Sequence, residues 1–547
     1  MQGRDTEPRL ILALPNVWRR VRNDLTWYPT MIRAPGNTPI LVGAGQYTDH
    51  IDAPHYAALS PQSLAARALE LALFDAGVGA ARQSIDALVA VRTVADSLPA
   101  EQYPLVAPFG GPDNFPRSVA GHVGCNPHTA IYSIACGDEP QLLVSEMADR
   151  IAAGEFKLVA LCGAEAAATT RLAQRQGQVF DWTEEIAGQC DDRGACIEGL
   201  RGPQMAQHGM AMPLDIYPLF EHARRHRLKA SADDYAQTMA ELLERFNQVA
   251  RENPYATHRE ALSRADIASV TAGNRIVSYP YTKACVARDA VNQGAAVLMT
   301  SVSVAQRLGI DPAKWVYLHS CASAAEPPVT SRVRLDTSVA MTQTYQQALA
   351  SAQISKEQIR HMDLYSCFPI AVFIALEALG MDARDPRALT VTGGLPYFGG
   401  PGNNYTMHAI ASMIETLRGD PGSYGLVGAN GGYLSKHAVG VYSTTSPDEW
   451  HLCSSNALQA SLDRIKPRVF EPQPRGTGVV ESFSVVPVRE GFRSAILGTL
   501  TESGRRFVAH SHDNQTITDN LINSDAIGRL VTVHRSQDGC NTFSLMG

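Results

Sequence analysis

The sequence repeats itself once, and that repeat limits the folds open to it. A shift of 265 residues lays Gly154-Glu155 on Gly419-Asp420, Leu161 on Leu426, Gly163-Ala164 on Gly428-Ala429 and Gly137 on Gly402. The recurring blocks, 136–165 and 401–430, read as turn, helix, Gly-acid, strand, Gly-Ala. With the run that precedes each, both copies read strand–turn–helix–strand, a unit that feeds a largely parallel sheet. Two copies at so long a period indicate a duplicated domain and not a solenoid. At 547 residues the chain is also too long for one core, so two or three domains are expected.

The first copy opens on Tyr132-Ser-Ile-Ala-Cys-Gly-Asp-Glu-Pro-Gln141. A β-run from Thr129 to Ala135 stops at Cys136-Gly137, and Leu142, Leu143, Met147, Ala148 and Ile151 follow Pro140 at helical spacing. This pattern presents the Cys136 thiol at a helix N-terminus, where unpaired N–H groups and the helix dipole favour a thiolate. Asp138 and Glu139 oppose that, because carboxylates beside a sulfur raise its pKa. A buried, inert cysteine is the other reading of the position.

Composition narrows the function classes. A net charge of −7 gives no electrostatic reason to expect nucleic acid or an anionic membrane as partner. No apolar run approaches the roughly 20 residues that span a bilayer. The ten cysteines are scattered without CxxC or Cys/His spacing, so no metal is expected. The same scatter suits a reducing cytosol with its thiols free, and the chain is expected to be cytoplasmic.

Along the chain, residues 1–37 form an N-terminal extension with Trp18-Arg-Arg-Val-Arg22 and several prolines but no signal-peptide pattern. Strands are expected at Pro39–Gln46, Ser84–Val91 and Leu158–Gly163, with a helix from Pro61 to Ala76. From 168 to 280 the α/β rhythm breaks, and a long helix at Ala232–Asn253 marks a helical loop domain inserted over the first sheet. The rhythm returns with strands at Gly294–Thr300 and Trp315–Ser320 and helices at Ser338–Ala352 and Pro369–Leu379. Short strand-like runs at 479–487, 494–500, 506–510 and 528–534, with one helix at 516–523, suggest a small β-barrel of OB-like type. The resulting division is 38–167 with 281–290 as one half, 168–280 as the loop domain, 291–465 as the second half and 470–547 as the barrel.

The motifs give the duplication a family. Ser133-Ile-Ala-Cys136, Tyr365-Ser-Cys-Phe368, Gly399-Gly-Pro401 and Ala429-Asn-Gly431 follow the order of the thiolase nucleophile, His-Asp-Cys-Phe, Gly-His-Pro and Cys-x-Gly motifs. The chain therefore resembles the thiolase superfamily, and within it the sterol-carrier-type thiolases and type 1 thiolase-like proteins with a fused C-terminal barrel. The resemblance covers 38–547. It implies a duplicated five-layered α-β-α-β-α core, an acetyl-CoA acetyltransferase-like chemistry on CoA thioesters, a role in lipid metabolism, and a monomer or homodimer.

The departures bear on mechanism. The resemblance makes Cys136 the nucleophile, but Gly400 stands where the activating histidine belongs and Ala429 where the second cysteine belongs. Each lost acid/base group costs roughly 10²–10⁴ in rate, so ordinary thiolysis is expected to be reduced or absent. Tyr365 replaces another histidine; related steroid side-chain aldolases use a tyrosine there as proton donor. His437 is a candidate base after the second Gly-Ala strand, Cys367 a second thiol, and His408 a helix-packing residue. Gly400, Asn403, Asn404, Asn430 and Gly431 are candidates for binding the substrate, although capping also accounts for the two adjacent asparagines. Three functions stay open: an acyl-CoA enzyme using Cys136 for acyl transfer or C–C bond chemistry, a retro-aldol lyase using Tyr365, and a non-catalytic acyl-CoA or lipid binder. Under all three, the pantetheine is expected to enter beneath residues 168–280.

Overall fold

In the computed structural model, which describes residues 35–99, 101–195, 202–511, 514–523, 525–536 and 539–546, the two repeat copies share one sheet. Nearly all of the N-terminal extension lies outside the described residues. The first half contributes β1 (Pro39–Thr48), α1 (Pro61–Asp75), β2 (Ala87–Ala90), α2 (Phe115–Val123), β3 (Thr129–Tyr132), α3 (Glu139–Ala152) and β4 (Leu158–Ala166). The loop region carries α4 (Pro213–Arg227) and α5 (Ala232–Glu252). After it come β5 (Asn292–Ser301), β6 (Val316–Ala325), α6 (Val339–Ser351), β7 (Ile359–Leu364), α7 (Pro369–Leu379), α8 (Tyr405–Gly419), β8 (Tyr424–Gly431) and β9 (Lys436–Ser443).

The strand order is β7-β8-β9-β6-β1-β5-β4-β2-β3, with Asp191–Asp192 extending the β3 edge. Strands β2, β3 and β4 run parallel, as do β7 and β8, while β5 and β9 each turn back antiparallel. The halves join where β1 and β6 pair antiparallel, Ile40 opposite Tyr317 and Leu41 opposite Val316. An antiparallel pair of equivalent strands is what a pseudo-twofold axis requires. The helices fill layers in the same way. Alternation sends Ile40 and Val42 toward α1 and α2, and Leu41 and Ala44 toward α3 and α8. Helices α3 and α8, the two repeat helices, pack on each other between the halves, and α6 and α7 cover the second half. Apolar on every side, α7 is buried at all positions but Glu377, as such a helix must be.

Three expectations fail locally. No strand precedes the turn in the second copy, where 391–401 is irregular, so that copy is turn–helix–strand only. The run expected at 84–91 is a strand only over Ala87–Ala90, because Gly79–Ser84 winds into a 3₁₀ helix. Cys321 and Cys453 form a disulfide, against the expectation of free thiols throughout. The chain returning from β9 runs beside β6, where the Ser323 N–H bonds Ser455 Oγ at 2.8 Å, and no sequence spacing signals that return.

The tail closes into a five-stranded barrel of β10 (Gly476–Pro487), β11 (Phe492–Leu500), β12 (Arg506–His510), β13 (Leu530–Arg535) and β14 (Asn541–Leu545). Its last strand had no signal of its own in the sequence. Among the described residues, no helix is long and apolar enough to cross a membrane.

Candidate active site

Cys136 lies in the turn between β3 and α3, buried at 4% exposure. The strand ends early, at Tyr132, and the Glu139 N–H bonds the Cys136 carbonyl at 3.2 Å to close the turn. Gly137 is required by what crosses it: a Cβ there would lie 2.5 Å from both the Tyr365 hydroxyl and the Asn430 carbonyl oxygen. Tyr365 is held just past β7, its N–H on the Gly428 carbonyl at 3.1 Å and its ring edge-on to Tyr405. Gly431 closes the other side, since a Cβ there would collide with Cys136 Sγ and sit 2.6 Å from Asp138 Oδ1. Directly across the ladder from Gly431 is Lys436, which therefore shares the face toward Cys136. The loop region adds Tyr217 from α4: Asn430 Nδ2 donates to its hydroxyl at 3.1 Å and lies 3.7 Å from Cys367 Sγ. Tyr217 also stacks on Phe368, ring centroids 4.2 Å apart. The structure thus brings Cys136, Tyr365, Cys367, Asn430 and Gly431 together.

Burial governs the charges here. It pushes the Cys136 thiol well above its ordinary pKa, and the charge of Asp138 adds to this, against the opposing Lys436 cation. Glu139 is pushed up to about 8, first by burial and then by Asp138. Cys367 is pushed up to about 12 by burial, against hydrogen bonds from Tyr217 and Asn430. Tyr365 moves up through burial, then through the neighbouring thiols. The support that a helix end was expected to give the thiolate does not prevail in the resting protein. Helix α3 begins only at Glu139, past Cys136, while burial reinforces the acids.

Other candidates fall elsewhere. Strand alternation turns His437 to the face opposite Lys436, where its Nε2 meets Ser338 Oγ at 3.3 Å and burial lowers its pKa to about 3. It is therefore not poised as the base for Cys136. Asn403 and Asn404 neither cap α8 nor keep free donors. Asn403 Nδ2 donates to the Arg92 carbonyl at 2.8 Å and Asn404 Nδ2 to the Gly163 carbonyl at 2.7 Å, clasping the second half to the first. Gly400 donates its N–H to Arg288 at 2.8 Å, beside Ala287, whose N–H bonds the Cys367 carbonyl at 3.0 Å. His408 packs within α8 with Nδ1 2.9 Å from Gln46 Oε1, as its position predicts.

Sequence reasoning missed Tyr217 and Lys436. Lys436 was one residue from the candidate chosen, and the strand register separates them. No periodicity marked α4, which contains Pro218 and four basic residues in its last turn; its burial, not its propensity, holds it helical.

Residues 457–539 match the family model described as the thiolase-like protein type 1 additional C-terminal domain. The crystal structure of a monomeric SCP2-thiolase-like protein type 1 from Mycobacterium smegmatis is 34% identical, with a TM-score of 0.79, over 93% of this chain and 99% of that one. The chain belongs to this family. More distant structures share the thiolase fold. The Ltp2-ChsH2(DUF35) aldolase is 18% identical with a TM-score of 0.54, over 76% of this chain and all of that one. The dimeric peroxisomal thiolase of Saccharomyces cerevisiae is 12% identical with a TM-score of 0.54, over 75% of this chain and 98% of that one. No curated protein matches the sequence at a significant level.

Proposed function

We propose that this SCP2-thiolase-like protein is an acyl-CoA-dependent enzyme in which Cys136 attacks a thioester carbonyl, for acyl transfer or for C–C bond formation or cleavage. The supporting observation is the convergence of Cys136, Tyr365 and Cys367 from both halves at one buried point. Asp138, whose carboxylate lies beside the Cys136 sulfur next to Gly431, takes its proton as the sulfur adds to the carbonyl. Lys436 balances the charge on the sulfur, and the Tyr365 hydroxyl donates to the developing oxyanion. The C–S bond of the thioester then breaks and CoA leaves as a thiol, protonated within the same cluster. With glycine at 400 and alanine at 429, ordinary thiolysis is slow or absent. Tyr217 holds the loop region over Asn430 and Cys367, so the pantetheine arm enters beneath that region. The monomeric state named for the M. smegmatis relative favours a monomer over a homodimer.

The raised Cys136 pKa favours one competing reading, a retro-aldol lyase on an acyl-CoA in which Tyr365 is the acid/base and no covalent step occurs. Turnover of a panel of acyl-CoA and β-hydroxyacyl-CoA thioesters separates the two. The proposal expects Cys136→Ala to abolish turnover and Tyr365→Phe to lower kcat by about 10²–10⁴. Full lyase activity in Cys136→Ala establishes the second reading. CoA binding without turnover of any thioester overturns both and leaves a binder.

A further inference from the structure

Away from this site, three metal-ligand side chains converge where the loop region meets the barrel. His208 follows the short helix Pro203–Gln207, His510 ends β12 and Cys540 immediately precedes β14. Among the described residues these form a group whose ligand atoms all lie within 4.8 Å of one another. His208 lies some three hundred residues before the other two, which are themselves 30 apart, so no local spacing marks the group and the cysteine pattern gave no hint of it.

The geometry of His208 bears on the question directly. It is buried, and its Nδ1 lies 2.6 Å from the Gln204 carbonyl oxygen. A carbonyl only accepts, so Nδ1 carries the hydrogen and Nε2 presents its lone pair to the barrel, accepting the Asn541 N–H at 2.7 Å. A histidine anchored by its other nitrogen to a backbone carbonyl is the arrangement that orients metal-bound imidazoles. The His510 ring faces it with centroids 5.7 Å apart, and Cys540, half-buried, places Sγ 3.8 Å from the Gln207 carbonyl.

We propose that His208, His510 and Cys540 bind a zinc ion that fastens the loop region to the barrel. Two imidazoles and a thiolate form a donor set suited to zinc, with water in the fourth tetrahedral position. Bond lengths of about 2.1–2.3 Å put neighbouring ligand atoms about 3.4–3.8 Å apart, so side chains now within 4.8 Å of one another close by at most about 1 Å on binding. Zinc takes the Nε2 lone pair in place of the Asn541 N–H, and the Cys540 thiol releases its proton to solvent.

The test titrates the full chain, stripped with a chelator, with Co²⁺ and then Zn²⁺. One equivalent of Co²⁺ should produce a near-ultraviolet thiolate-to-cobalt charge-transfer band and tetrahedral visible bands, both removed by Zn²⁺. Cys540→Ser should lose the charge-transfer band, His510→Gln should weaken binding at least about tenfold, and a given Zn²⁺ concentration should raise Tm less in either variant than in the parent chain. The absence of stoichiometric uptake by the parent chain overturns the proposal. So does a charge-transfer band that survives in Cys540→Ser, or Zn²⁺ affinity that is unchanged in both variants.

Discussion

Both repeat junctions turn into a helix that feeds a strand, and they have opposite duties. At the first, the turn into α3 carries a buried thiol flanked by Asp138 and Glu139. At the second, 265 residues on, the turn into α8 carries Asn403 and Asn404, whose amides hold backbone carbonyls of the first half. The contacts are reciprocal. Gly137 lies against Asn430 of the second half and Gly402 against Glu165 of the first, and the same shift relates both pairs. Thr406 at the start of α8 in turn bonds the Gly137 carbonyl at 2.7 Å. Duplication kept the packing in both halves and a buried thiol in one, and the second junction holds the first in place.

That division of labour can be broken at its clasp. In Gly163→Ala the new Cβ would lie 2.7 Å from Asn404 Cγ and 2.8 Å from Val91 Cβ in a fully packed interior. We expect a loss of about 3 kcal/mol by chemical denaturation. Asn404→Ala removes the amide donor from the Gly163 carbonyl in the interior and should cost about 1 kcal/mol. Because the two side chains compete for one space, the double variant should cost less than the sum of the singles. Strict additivity would dissolve the clasp.

A smaller effect sharpens the electrostatic side of the comparison, since only the first junction carries buried acids beside its turn. Folded Glu139 keeps its proton up to about 8, whereas the unfolded chain loses it near 4.5. The folded state therefore binds more protons between these values, and this group's contribution to stability is full below about pH 4.5 and drains away as the pH rises toward about 8. Glu139→Gln removes that contribution. Its urea midpoint should fall less than that of the parent chain between about pH 5 and pH 8, while Glu165 and Asp149, also raised, act equally in both proteins. Parallel curves would mean that Glu139 does not titrate as its burial requires. The smallest effect is expected at Gly400, where a Cβ would meet nothing closer than 3.4 Å. Gly400→Ala should be neutral or stabilising by about 0.5 kcal/mol in the same denaturation assay, unlike any change at the clasp.

Much of the fold was legible because it follows from pattern. The 265-residue repeat anticipated the pseudo-twofold axis, and the apolar run Pro369–Leu379 marked a core helix to the residue. The neighbourhood of Cys136, Tyr365, Cys367, Asn430 and Gly431 followed from motif order. What sequence withheld depends on three-dimensional context. Register decides that Lys436 and not His437 faces the thiol. Burial decides that the thiol is neutral at rest. Tertiary packing keeps α4 helical through Pro218 and brings Tyr217 to the site. The partner of Cys321 depends on a chain return that no local signal encodes.

The central claim is that Cys136 is the nucleophile, a slow one because burial and Asp138 hold its proton. Intact mass spectrometry of the protein incubated with excess acyl-CoA tests it most directly, with the adduct mapped by peptide and its rate followed against pH. The account predicts one acyl group per chain, located at Cys136, forming faster as pH rises above neutrality and absent in Cys136→Ala. An adduct at Cys367 instead, or turnover of the same thioester with no adduct at any pH, would contradict it.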